Sequence, residues 1–169
     1  TTKDGTLFGE DFVQIVYLLN NVKEVQSYLS EKELVDNELL QLCNALVLPK
    51  QLLADINRCI DSSGNVLDGA SSELRRIRRQ ILSIESNIRT KIDQVKVANK
   101  DYLSQEAISS RNNHLVLPVK AGNKNLIKGI VHAVSSSGQT MFIEPDIIVQ
   151  MNNQLVHAKD DERREVNRI

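Results

Sequence analysis

With 169 residues and 41% apolar content, the chain can bury one ordinary core, or a small helical core with a satellite, so one or two units are allowed. The net charge of −1 is unevenly spread: residues 1–70 sum to −6, 71–98 to +4, 99–145 to +2 and 146–169 to −1, and this change of sign says more about a partner than the total does. No apolar run approaches the ~20 residues of a bilayer span, and residues 1–10 lack a basic, apolar leader, which excludes a membrane partner and predicts a soluble, cytoplasmic chain.

Periodicity predicts the first half as helical. Phe8, Phe12, Ile15, Leu19, Val22, Val25 or Gln26, and Leu29 recur at steps of three and four, an apolar stripe on a helix from about Glu10 to Leu29. A second helix runs from Leu34 to Val47 with Leu39, Leu42, Cys43 and Leu46, and a third from Lys50 to Ile60. Cys43 and Cys59 have no CxxC or CxxH spacing, so they read as buried thiols rather than as a zinc site or a disulfide framework. Residues 61–65 form a turn cluster, and Val66 and Leu67 a short extended piece.

Ser71 or Ser72, followed by Glu73, caps a long helix. Its seam of Leu74, Ile77, Ile81, Ile84, Ile88, Ile92 and Val95 is heptad-like. Arg75, Arg76, Arg78 and Arg79 fall off that seam and read as a solvated face, with phosphate contact as the alternative. After Arg111 the pattern changes to period two. Strands at residues 115–121, 127–134 and 139–143, separated by turns at 122–125 and 135–138, predict a three-stranded meander. Pro118 cannot donate to a ladder, so the first strand is expected at an edge or paired on one side only there. A last helix restarts at Glu144-Pro145-Asp146 with Glu144 in a capping role, and its stripe is Ile148, Met151, Leu155, Ala158, Glu162, Val166 and Ile169. That helix is still running at Ile169, which is the pattern of an excised piece. The economical arrangement is an antiparallel helix pair with the β segment at its far end.

Residues 107–143 contain no Asp or Glu, yet carry Arg111, Lys120, Lys124 and Lys128. Lysines in a Gly/Asn-rich segment suit phosphates better than base edges, because base reading needs rigid bidentate groups. His114, Ser136 and Ser137 are possible supporting phosphate contacts. His114 and His132 lie by the strands and His157 on a helix, without an HExxH or GxSxG motif, so no catalytic or metal site is expected. No GxxxxGK[ST] loop occurs, and the glycines are too scattered to cradle a phosphate.

The run from Leu115 to Pro145, with its Pro118-Val119-Lys120 and Ser136-Ser137-Gly138-x-Thr140-x-Phe142-Ile143-Glu144-Pro145 motifs, resembles the clamp of the MutS family, in its type-two branch. Residues 66–71 with Leu74, Ile77 and Arg78 are similar to the family's entry into its descending lever helix, and residues 152–155 with 161–165 to the returning one. The resemblance implies a mainly α fold with a small β insert: a helical core over 1–70, a descending lever over 71–98, a β clamp over 99–145 and an ascending lever over 146–169. It implies a homodimer, with ATP, Mg and a possible nuclease centre belonging to domains outside this chain, which needs no cofactor or small-molecule ligand and catalyses nothing itself. The implied partner is the backbone of duplex or branched DNA, in repair or in suppression of recombination. Ribosomal RNA on stalled ribosomes, or a purely mechanical dimerising coiled coil, are the alternative readings.

Overall fold

The computed structural model of the protein describes residues 7–31, 38–105 and 107–169, the side chains of residues 39, 40, 43 and 44 excepted. The chain is mainly α with a small antiparallel sheet, and it divides into two compact units, one within residues 1–75 and the other Arg76–Arg168.

The first unit contains α1 (Gly9–Glu31), α2 (Glu38–Ala45) and α3 (Lys50–Cys59). Phe8 stands before α1 and is 72% exposed, and Val25 is also exposed. The inner position is taken instead by Gln26, whose amide donates to the Leu46 carbonyl at 2.9 Å. Leu42 and Leu46 are exposed, so the stripe expected on the second helix is not a buried one there. The side chains of Leu39 and Cys43, and the expected start of that helix at Leu34, lie outside the described residues. Cys59 is half-buried with a free thiol. The predicted turn is built by Asp61, whose Oδ1 accepts from the amides of Ser63 (2.8 Å) and Asn65 (2.9 Å). Hydrogen bonds from Asn65, above all its side chain, hold the Asp61 carboxyl below its ordinary value. Ile60 then bridges to Val66.

The long helix α4 (Ser72–Ala98) starts where the sequence places it. Ser71 Oγ accepts from the amides of Glu73 and Leu74, each at 3.1 Å, satisfying donors that the helix itself leaves unpaired. Helix α5 (Asp146–Arg168) runs antiparallel to it in the second unit. Arg78 pairs with Glu162 at 2.7 Å and Glu85 with Lys159 at 3.1 Å, so residues descend on one helix as they ascend on the other. Ile77 and Ile81 pack with Ala158, while Ile88 and Ile92 pack with Ile148 beneath the sheet. Arg78 is therefore not part of a solvated face, although Arg75 and Arg79 are exposed.

The β insert departs from the expected three-stranded meander. It has four strands, β1 (Ser109–Arg111), β2 (His114–Lys120), β3 (Gly129–Val134) and β4 (Thr140–Pro145), in the order β1-β2-β4-β3. The extra strand comes from a two-residue hairpin, with Arg111 opposite His114 and both Asn112 and Asn113 at positive φ. Asparagine tolerates that region, and such a turn matches the twist of paired strands. Because β2 and β3 both pair antiparallel with β4, residues 121–128 return along the length of the sheet. Ile127 anchors this crossover in the core with Leu117, Val119 and Ile143. Pro118 lies in an interior strand. Its carbonyl accepts from the Ser104 amide at 2.9 Å, away from β4, so its nitrogen faces the side where β1 has already ended and no ladder bond is lost.

Gly129 is fixed by close approach: a Cβ there would stand 2.0 Å from the Glu144 carbonyl oxygen. Gly122, on the crossover, has no atom within 4 Å of a Cβ position. Gly129→Ala should cost about 1–3 kcal/mol in urea unfolding, and Gly122→Ala should stay within about 0.5 kcal/mol of the parent. Equal effects at the two positions would contradict the described sheet.

Candidate nucleic-acid interface and its buried carboxylate

Strand alternation puts His114, Val116, Pro118 and Lys120 of β2 on one face with Thr140, Phe142 and Glu144 of β4. The opposite face, with Leu117, Val119 and Ile143, packs on the helices. On the first face the Arg111 guanidinium lies 4.2 Å over the Phe142 ring and donates to the Ser110 carbonyl at 2.9 Å. A planar cation over an aromatic face is attracted by the ring quadrupole, so Arg111 is held flat against the sheet.

The four cationic residues singled out from the sequence do not gather at one tip. Lys120 is opposite Thr140, while Lys128 precedes Gly129, which is opposite Pro145. At ~3.3 Å per residue these lysines are separated by roughly 16–20 Å along β4, with Lys124 on the crossover between them. They bracket a crossover rather than a turn, because the strand that follows them in sequence is not the neighbour of the strand that precedes them. Ser136 and Ser137 lie in the β3–β4 turn at the Lys120 end, whereas Arg111 and His114 lie toward the Lys128 end. Lys120 Nζ donates to the Asp101 carbonyl at 3.0 Å. Lys124 and Lys128 are exposed, and neither forms an ion pair among the described residues.

Glu144 is the acid that the sequence reading misplaced. It is not a helix cap: Pro145 ends β4, the helix begins at Asp146, and the Glu144 residue is 1% exposed. Its Oε2 lies 2.7 Å from His132 Nε2 and 3.0 Å from His114 Nδ1, and its Oε1 accepts from Asn152 Nδ2 at 2.6 Å. The two imidazoles stack with centroids 4.5 Å apart. His132 reaches the carboxylate from a β-bulge, the unpaired position between Val131 (opposite Ile143) and Ala133 (opposite Phe142). An extra residue bends the strand and re-aims its side chain. Burial pushes the Glu144 carboxyl up, but the bonds from His132 and Asn152 and the contact with His114 outweigh it, holding the group below its ordinary value of 4.5. His114 thus turns its Nδ1 to a carboxylate. Spacing alone offered no signal for this cluster, because its members come from three strands and a helix.

No family model matches the chain. Curated relatives do. It is 37% identical over 166 residues to Endonuclease MutS2 of Lactococcus lactis subsp. lactis, covering 98% of this chain and 21% of that protein. It is 40% identical over 170 residues to Putative endonuclease MutS2 of Bacillus subtilis, covering 98% and 22%. Over 116 residues, 68% of this chain and 15% of the relative, it is 48% identical to Endonuclease MutS2 of Shouchella clausii. The fold and the matched stretch define a helix-mounted β module of the MutS class. The chain belongs to the type-two branch of the MutS family, and it spans about a fifth of the length of the first two of these relatives. Among the described residues no helix is long and apolar enough to cross a membrane.

Glu144→Gln should lower stability by about 1–3 kcal/mol at pH 7, since it removes charge-assisted bonds at a buried position. A carboxyl depressed by folding contributes stability above its unfolded value near 4.5, and loses it as pH falls through the lower folded value. The gap between parent and variant should therefore close on acidification. Urea titrations at pH 7, 5 and 3 would show it, and a gap that is constant or widens toward pH 3 would refute the arrangement.

Proposed function

We propose that the β insert is the DNA-contacting clamp of a type-two MutS protein and that it grips the sugar-phosphate backbone without reading bases. The observation that carries this reading is the fate of Glu144. It is the one acid between residues 107 and 145, and it is buried and bonded inward, so the outer surface of this segment presents cations without a competing carboxylate. Acids remain only at the flanks, with Asp101 and Asp146 exposed. Duplex DNA carries a charge every ~3.4 Å of axis on each strand, so a lysine row of roughly 16–20 Å matches about five or six nucleotides of one strand. The row is made of point-charge ammonium groups, while the arginine beside it is occupied by Phe142 and Ser110. This favours affinity for phosphate over sequence discrimination.

In this reading the antiparallel α4–α5 pair carries the clamp and ties it to a nucleotide-driven head elsewhere in such proteins. The relatives are named endonucleases, and this stretch would serve them by holding DNA rather than by cutting it. A homodimer would place two clamps on one duplex, and the second contact would then be made at high effective concentration.

Fluorescence anisotropy with a labelled duplex tests the reading. Log K against log salt should have a slope of about −3 for three phosphate contacts, and Lys124→Ala and Lys128→Ala should each reduce it by about 1. Charge reversal of Lys120, Lys124 and Lys128 to Glu should weaken binding by more than about tenfold at low salt while circular dichroism keeps the helical signal. Unchanged binding by that triple variant would overturn the proposal, as would structured RNA outcompeting both duplex and branched DNA.

A further inference from the structure

We propose that His114, His132 and Glu144 form a binding site for a divalent transition-metal ion of the zinc class. The three side chains offer two imidazole nitrogens and one carboxylate oxygen, all within 4.8 Å of one another. Such a mixed nitrogen and oxygen set suits Zn2+ and its borderline neighbours rather than Mg2+ or Ca2+, which take oxygen ligands.

The site is built, not merely crowded. Glu144 sits on β4, between β2 and β3, and each neighbouring strand sends one histidine to it. The bulge at His132 turns that ring onto the oxygen that His114 also faces. Asn152 from α5 holds the other oxygen at 2.6 Å, which orients the carboxylate and leaves Oε2 toward the two rings. An outer hydrogen bond of this kind is the usual support of a ligating group.

The cluster also has an unmet demand. His114 Nδ1 is buried and 3.0 Å from Oε2, yet it lacks hydrogen-bond geometry to that oxygen and has no other hydrogen-bond partner. Two imidazole nitrogens thus converge on one carboxylate oxygen, and only that of His132 is hydrogen-bonded to it. A cation between them uses the lone pairs of both nitrogens and the charge of the carboxylate together. Bonds of ~2.0–2.1 Å to a tetrahedral ion set its ligands about 3.3 Å apart, so the observed 2.7 and 3.0 Å contacts need to open by about 0.6 and 0.3 Å. The His114 side chain is 42% exposed, which gives the ion a way in and leaves a fourth position for water. Once bound, the ion would cross-link β2 and β3 through β4. The inference does not depend on the duplex-binding reading.

The test uses the whole chain, stripped with a chelator and dialysed free of it. Isothermal titration with Zn2+ should give one site per chain, and Zn2+ should raise the thermal midpoint. Co2+ should produce the visible absorption of a site with histidine ligands. His114→Ala alters a part-exposed side chain and should leave the helical signal intact while weakening Zn2+ binding by more than about tenfold. Asn152→Ala should weaken it by about tenfold or more through loss of the orienting bond. Absence of Zn2+ binding would overturn the proposal. So would binding of unchanged strength in folded His114→Ala, the result expected if the ion sat at Cys59 or elsewhere.

Discussion

A single buried carboxylate organises the β insert. Glu144 is on a strand with neighbours on both sides, and taking its charge out of water is costly unless donors converge on it. The donors are His132 from β3 and Asn152 from the helix that follows, and His114 from β2 stands 3.0 Å from the same carboxylate, within ion-pair range. Satisfying one charge therefore fixes strand order, the bulge in β3 and the junction between β4 and α5. Gly129 belongs to the same constraint, since the backbone of Glu144 lies where its side chain would be.

That arrangement links the fold to its surface chemistry. An acid on the outside of residues 107–145 would compete with a polyanion for the lysines. Here it is turned inward, and the lysines meet solvent or, for Lys120, a backbone carbonyl. Beneath the sheet, α4 and α5 hold each other by isoleucines and by ion pairs that cross between them, a firm base on which Leu117, Val119 and Ile143 of the sheet pack. The proposed DNA contact and the proposed metal site use the same lobe for different reasons. One needs cations that are free, and the other needs imidazoles that are not.

The helices were legible because their signal is local. The isoleucines at 77, 81, 88 and 92 repeat with the helical period, and Ser71 announces its cap, so both the boundary and the buried face of α4 follow from spacing. The strands were legible as segments and not as a sheet. The pattern marks residues 115–121 and 127–134 as extended, but it does not say which strand lies beside which, and β4 intervenes between them. From that one omission came the misplaced lysines, assigned to a turn that is a crossover. Asn112-Asn113 is the local signal of a tight hairpin, and it is the one trace that β1 leaves in the sequence. Proline favours the first turn of a helix, which predicts a helix start at Pro145, and here it ends a strand instead, taking Glu144 with it into the sheet. The Glu144 cluster itself is a product of register and of a bulge, neither of which leaves a periodic trace.

The most direct test of the buried carboxylate is its own titration. With the chain labelled at glutamate, the Glu144 side-chain carboxyl carbon can be followed by NMR from pH 7 to pH 2. The account predicts a midpoint below 4.5, with the imidazole signals of His114 and His132 moving as that carboxyl protonates. A midpoint above 4.5, with the histidines indifferent, would mean that desolvation wins and that Glu144 is not the charged centre of this sheet.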